Sequence, residues 1–328
     1  MALLEVRNLK TFFYGQRGIV KAVNDVSFVV YPGQTLGLVG ESGCGKSMSC
    51  LSIMRLVPEP GRIVSGEIIF DGQNLLEKTE REMRRVRGRR IAIILQDLSS
   101  LNPSFSIGRQ VAEAIHIHQG IKGRSLWEKT IKALKLVRIP SPEERLSDYP
   151  HMLSGGMRQR VVGAIAFSCE PDLLIADEPT TALDVTTQAV YLQLLKDIQK
   201  ERGLAMIFVT HDFGIVAMMC DEVAVMYAGR ILEKASVREI FDNPVHPYTR
   251  ALMNSVPKLE TVVQRLQSIP GQPPELYSQI TGCAFRPRCG EADDRCVADE
   301  YPPEVGIDHG GHWVRCWRVV GAAAGHRP

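Results

Sequence analysis

At 328 residues the chain has room for two domain-sized units and for a sizeable buried core. Lys and Arg number 39 against 37 Asp and Glu, a formal net charge of +2, which signals neither a nucleic-acid binder nor a strongly acidic surface. With 45% hydrophobic residues and no apolar stretch of about eighteen, the composition is that of a globular protein without a membrane-spanning helix.

The start, Met1-Ala-Leu-Leu-Glu-Val-Arg7, lacks the features of a secretory signal, so a cytoplasmic location is expected. Runs rich in Val, Ile and Phe at Leu3 to Leu9, Ala22 to Val30 and Ile63 to Phe70 predict strands. Thr35 to Val39 predicts a strand that runs into Gly40-Glu41-Ser42-Gly43-Cys44-Gly45-Lys46-Ser47, and Met48 to Leu56 has helical spacing up to Pro58 and Pro60. Further buried-type strands are predicted at Ile91 to Leu95, Leu173 to Ala176, Met206 to Val209 and Val223 to Tyr227, with an amphipathic helix from Val185 to Arg202. Such alternation implies an α/β core on a mainly parallel sheet. From Asp97 to Pro150 the pattern is helical, which predicts an inserted helical subdomain. The core is expected to close near Ala235; a short helix (Ser236 to Phe241), His246 to Leu252 and a proline-rich linker, Ile269 to Pro274, follow. Cys44, Cys50, Cys169 and Cys220 are scattered, whereas Cys283, Cys289, Cys296 and Cys316 lie together, which in a reducing compartment suggests metal chemistry rather than disulfides.

Gly40-x-x-x-x-Gly45-Lys46-Ser47 fits the phosphate-binding loop in its strand-loop-helix context. Glycines let backbone amides close around phosphates, Lys46 reaches the β- and γ-phosphates, and Ser47 offers a hydroxyl to Mg²⁺. Leu173-Leu-Ile-Ala-Asp177-Glu178 delivers two carboxylates at a strand's carboxyl end, where ligands bind in open α/β sheets. Asp177 suits the Mg²⁺ shell and Glu178 the general base that polarises the attacking water. Taken alone, an Asp-Glu pair after a strand is the start of a turn; the loop upstream decides for catalysis.

The chain resembles the ABC ATPases through further motifs in order. Leu153-Ser154-Gly155-Gly156-Met157-Arg-Gln159-Arg160 is similar to the ABC signature at a helix start, and Gln96 to the Q-loop glutamine that contacts Mg²⁺ and the attacking water. Thr180-Thr-Ala182-Leu183-Asp184 is similar to the D-loop, His211 to the histidine that organises the γ-phosphate, and Phe13 to the aromatic that stacks on adenine, with Phe12 or Tyr14 as alternatives. The resemblance implies an ABC-type P-loop ATPase with a RecA-like, mainly parallel core, an antiparallel β subdomain and a helical subdomain. Residues 1–235 would be the nucleotide-binding domain, with the helical and signature subdomain at 97–168, and 236–328 a cysteine-containing extension. It implies ATP contacts at Phe13, at Gly40, Glu41, Ser42, Gly43, Cys44, Gly45, Lys46, Ser47 and Met48, and at Ser154, Gly155, Gly156 and Asp184. Mg²⁺ ligands would be Ser47, Gln96 and Asp177, and catalytic residues Glu178, His211 and Gln96. In this family one subunit's signature completes the ATP site of another, so the chain is expected to pair.

Asn243 to Leu252, then Ile269 to Pro274, and Gly37 to Gly43 resemble the oligopeptide and dipeptide importer ATPases, a branch that includes nickel importers. The resemblance implies a heterodimer with a second ATPase, two transmembrane permease subunits, an extracytoplasmic substrate-binding protein, and a peripheral place on the cytoplasmic face of the inner membrane. Gly282-Cys283-x5-Cys289-x6-Cys296-x19-Cys316 resembles the pattern that holds a 4Fe-4S cluster in several members; Zn²⁺, with His309 or His312 replacing a ligand, and unliganded thiols are the alternatives. The run Asp97-Leu98-Ser-Ser-Leu101-Asn-Pro103 departs from the family pattern by about one residue. The basic run from Arg81 to Arg90 raises a second class, a soluble ABC ATPase acting on nucleic acid or the ribosome, but interleaved acidic residues and the lack of an aromatic platform favour a solvated face, so no nucleic-acid partner is expected.

Overall fold

In the computed structural model the first apolar runs form β1 (Leu4–Gly15) and β2 (Gly18–Val30). They are followed by β3 (Thr35–Val39), α1 (Lys46–Ile53), β4 (Gly61–Phe70) and β5 (Gln73–Asn74). The residues described are 1–16, 18–96, 101–255, 269–277, 280–297, 300–307 and 311–323. β2, β1, β4 and β5 make a four-stranded sheet in that order, and β1 pairs antiparallel with β4 from Leu4 opposite Phe70 to Phe13 opposite Gly61. β1 runs past Leu9, where the sequence pattern ends, because the ladder shifts register between Arg7 and Lys10 and so breaks the alternation. Asn8 takes a left-handed φ of 46° there, its amide donating to Ser27 and its side chain to Asp25.

The chain divides into two units: Met1–Leu3, Val30–Gln34 and Glu77–Phe208 form one, and Leu4–Val29, Thr35–Leu76 and Val209–Pro328 the other. The first begins its long segment with α2 (Glu80–Val86), started by a capping box between Thr79 and Glu82. β6 (Ile91–Ile94), α3 (Ile107–Gln119), α4 (Gly123–Leu136), α5 (Pro142–Arg145), α6 (Gly155–Phe167), β7 (Leu173–Asp177) and α7 (Val185–Arg202) follow, and the unit ends within β8 (Ala205–Thr210), at Phe208. β6 and β7 are parallel, Ile91 opposite Leu173 through Ile94 opposite Ala176. Ile107, Val111 and Ile115 recur every fourth residue on α3 and are buried on one face, each such side chain contributing about 1.5–3 kcal/mol. Among the described residues of the helix-patterned stretch, α3, α4 and α5 form, and α3 packs on α4 and on α6.

The second unit resumes with α8 (Phe213–Met219), β9 (Glu222–Tyr227), β10 (Arg230–Ser236), α9 (Val237–Asp242) and α10 (Pro247–Asn254), then β11 (Val305–Gly306), β12 (Trp313–Val314) and α11 (Trp317–Ala323). Its strands run β11, β12, β10, β9, β3, with β3 and β9 parallel and the rest antiparallel. β9 and β10 are joined by Ala228 and Gly229, both at positive φ, as a two-residue hairpin turn requires. Val39, Phe213, Val225, Tyr248 and Phe285 share one buried cluster, so residues on both sides of the expected linker build a common core. A buried polar network ties the far end to it: the Glu233 carboxylate, fully buried, accepts from the amides of Val245 and His246 and pairs with His312 Nε2 at 2.8 Å. Burial alone would push Glu233 up, but these hydrogen bonds, that from His312 foremost, hold it below the usual carboxylate range. No helix among the described residues is long and apolar enough to cross a membrane.

Candidate functional site

The loop between β3 and α1 is shaped by backbone that only glycine tolerates. Gly40 has φ 156°, and a Cβ there would meet the Met226 carbonyl oxygen at 2.2 Å; Gly45, at φ 107°, would meet that of Ala22 at 2.2 Å. Gly45 also stands as the N-cap of α1, so the first amides of that helix point into the loop. Lys46 is 5% exposed, and its ammonium donates to the carbonyls of Gly40 at 2.7 Å and Glu41 at 3.0 Å. A cation held on the loop's own carbonyls, among amides of a helix start, is a site prepared for an anion. Cys44 is buried 3.8 Å from Lys46 Nζ; burial pushes its thiol up against the pull of that charge. Ser42, Gly43 and Ser47 are exposed, and Met48 is half-buried on α1.

In the other unit β7 ends on Asp177, which is buried, and Glu178 follows at a left-handed φ of 45°. One carboxylate oxygen of Glu178 accepts from Gln96 Nε2 and from the Thr181 hydroxyl, both at 3.0 Å. Gln96 and Glu178, 82 residues apart, are thereby brought together, and Thr181, from the run Thr180 to Asp184, joins them. Ser154 caps α6, its hydroxyl accepting from the Met157 amide, with Gly155 and Gly156 in the first turn. A Cβ on Gly156 would sit 2.4 Å from the Thr187 methyl. Asp184 caps α7, accepting from the Thr187 amide and hydroxyl; the hydroxyl above all holds it below the usual carboxylate range. His211 is exposed directly after β8, ahead of Asp212, which caps α8. Phe13 is half-buried, its ring edge against Gly61, while Lys21 lies over the Phe12 ring and Tyr14 is 46% exposed.

Residues 23–181 match the ABC transporter family, and residues 232–296 match the oligopeptide/dipeptide transporter C-terminal region. The chain is 52% identical to the "Probable peptide ABC transporter ATP-binding protein" of Sinorhizobium fredii, over 96% of this chain and 95% of that protein. It belongs to the ABC transporter ATP-binding proteins. It is also 45% identical to the dipeptide transport ATP-binding protein of Bacillus subtilis, over 96% of this chain and 94% of that one. Among solved structures, a dimeric ATP-binding cassette in a post-hydrolysis state bound to ADP and Pi is similar with a TM-score of 0.65 and 25% identity, covering 72% of this chain and 99% of that one.

In this ABC ATP-binding chain the four late cysteines come from four separate short segments, and all are free thiols. Burial pushes Cys283 up to about 12, with Cys296 and Cys316 adding to the rise. Cys289 and Cys316 are raised in the same way, by burial first and by neighbouring cysteines second. Their chemistry suits a thiolate-bound group, yet among the described residues no three His, Cys, Asp or Glu side chains are gathered closely enough to hold a metal ion. His312 is committed to Glu233, and His309 and residues 97–100, where the loop departs from the family pattern, lie outside the described residues. Sequence reading missed Arg288 and Tyr248, which both touch Glu41.

Proposed function

We propose that this chain is the ATP-hydrolysing subunit of an importer for di- or oligopeptides. The names of its relatives and the C-terminal family match support the substrate class, with nickel or another small solute of the same branch as the alternative. The observation that carries the chemistry is the Glu178 carboxylate, fixed by Gln96 and Thr181 beside the buried Asp177. In this reading the amides of residues 40–48 and Lys46 hold the triphosphate, Phe13 lies against adenine, and His211 orients the γ-phosphate. Glu178 accepts the proton of the attacking water while Gln96 and Thr181 keep its oxygen in place. Ser47, Asp177 and Gln96 would hold Mg²⁺, which when bound neutralises charge on the phosphoryl oxygens. Ser154, Gly155, Gly156 and Asp184 serve nucleotide held by a second ATPase subunit; the helix cap at Ser154 and the dimeric state of the similar cassette support this. Residues 1–235 are read as the nucleotide-binding domain, with its helical part at 97–168, and 236–328 as the extension. Two permease subunits, a substrate-binding protein and a peripheral place on the inner face of the membrane complete the reading.

Glu178→Gln, reconstituted with its partners, is expected to keep ATP binding but to lose about a hundredfold or more of peptide-stimulated turnover. Turnover near the unaltered rate would refute the base assignment, and turnover indifferent to peptide the substrate class. A 4Fe-4S cluster, or Zn²⁺, on Cys283, Cys289, Cys296 and Cys316 is proposed on the strength of their donor chemistry alone. Iron and zinc analysis with visible absorption of anaerobically purified protein tests it; a colourless preparation free of both metals ends it.

A further inference from the structure

Glu41, the second residue of the phosphate loop, is grasped twice from the C-terminal extension. Its amide donates to the Tyr248 hydroxyl at 3.0 Å, and its carboxylate receives both terminal nitrogens of Arg288, at 2.6 and 2.9 Å. The Arg288 side chain is 3% exposed and spends its remaining donors on the carbonyls of Pro270 and Ile269 and on the Tyr227 hydroxyl. Tyr227, Tyr248 and Phe285 pack ring to ring with centroids 4.6 to 5.4 Å apart, and the guanidinium lies 5.9 Å from the Tyr227 ring centroid. A planar guanidinium held at every nitrogen is a fixed strut, and its forked pairing with a carboxylate sets distance and orientation together.

The position of the pair gives it a task. Lys46 rests on the carbonyls of Gly40 and Glu41, and must leave them when phosphates arrive, so the loop needs another hold on its shape at that moment. A carboxylate next to Gly40 also repels a triphosphate unless its charge is cancelled. We propose that Arg288 is a positioning residue for the nucleotide site, holding the phosphate loop in its binding shape through Glu41 and cancelling that carboxylate's repulsion of ATP. The extension then acts as a brace on the loop. This rests on the reading that residues 40–47 hold the triphosphate.

The test is equilibrium binding of Mg-ATP to the full chain, with thermal melting measured alongside. Arg288→Met keeps the aliphatic stem and removes the charge, and is expected to weaken ATP binding about tenfold. Adding Glu41→Gln removes the stranded carboxylate and is expected to recover part of that loss, which a purely structural contact would not do. Wild-type affinity in folded Arg288→Met, or a double variant as weak as the product of the two single effects, overturns the proposal. Should the Met variant not fold, Arg288→Lys keeps the charge without the fork and is expected to lose about threefold; unchanged affinity there overturns it equally. Lys46→Ala separates the two readings: if it too binds ATP normally, the phosphate-loop assignment falls, whereas a loss there with normal Arg288→Met removes the strut alone.

Discussion

His246 shows how one side chain sets a pH limit on this fold. Its Nδ1 accepts from the Tyr248 amide at 2.9 Å, capping α10, so in the neutral ring the proton sits on Nε2, which is buried and has no hydrogen-bond partner among the described residues. Burial holds the imidazole down to about 4; Glu233 pulls it up and Arg250 pushes it further down. The folded value lies below the ordinary 6.5, so the unfolded chain binds the extra proton more readily. The stabilising contribution is complete above 6.5 and is lost as pH falls toward 4, to a total of about 3 kcal/mol. Melting temperature followed across that range should drop for the wild type and drop less for His246→Asn, which can cap the helix without ionising. Equal slopes for the two proteins would remove His246 from the account. At this scale Gly40, Gly45 and Lys46 were legible, because their spacing is local and their conformational needs are specific to residue type. Arg288 was not, since its partner Glu41 lies 247 residues away and nothing in an Arg-Cys dipeptide points to it.

Elements were legible where the chain carries its own start and stop signals. Thr35 to Val39 and Val185 to Arg202 fold over the predicted residues, the latter between an Asp184 cap and a Gly203 at φ 61°. The signature helix begins at Gly155, because the Ser154 cap and not hydrophobic spacing fixes its first turn. β10, β11 and β12 went unread for a different reason. The turn before β10 is Ala-Gly rather than a stronger hairpin signal, and β11 and β12 are two-residue strands that exist only through pairing, Val305 opposite Val314 and Val314 opposite Glu233. A sequence window holds no record of such partners. Gln96 and Glu178 were each picked out at a strand end, but their meeting depends on β6 lying parallel to β7, which brings the two strand ends together.

For the molecule as a whole, the extension's core residues are part of the structure that carries the phosphate loop. Phe285, 2% exposed, lies edge-on to Tyr227 at 5.4 Å and against Tyr248 at 5.2 Å, within the cluster that contains Val39 at the end of β3. A proline-rich linker and a cysteine segment would be dispensable for stability if they hung outside this core. Because they line it, Phe285→Ala is expected to cost about 3–5 kcal/mol, from lost burial and the cavity left behind. Against a typical total of about 5–15 kcal/mol, that is enough to shift denaturant unfolding of the full chain strongly. The same change should speed alkylation of Cys283, which packs against the cluster and is now half-buried. Unfolding at the wild-type denaturant concentration, with Cys283 still slow to react, would mean that the ring is replaceable and that the loop-bearing core stands without the extension.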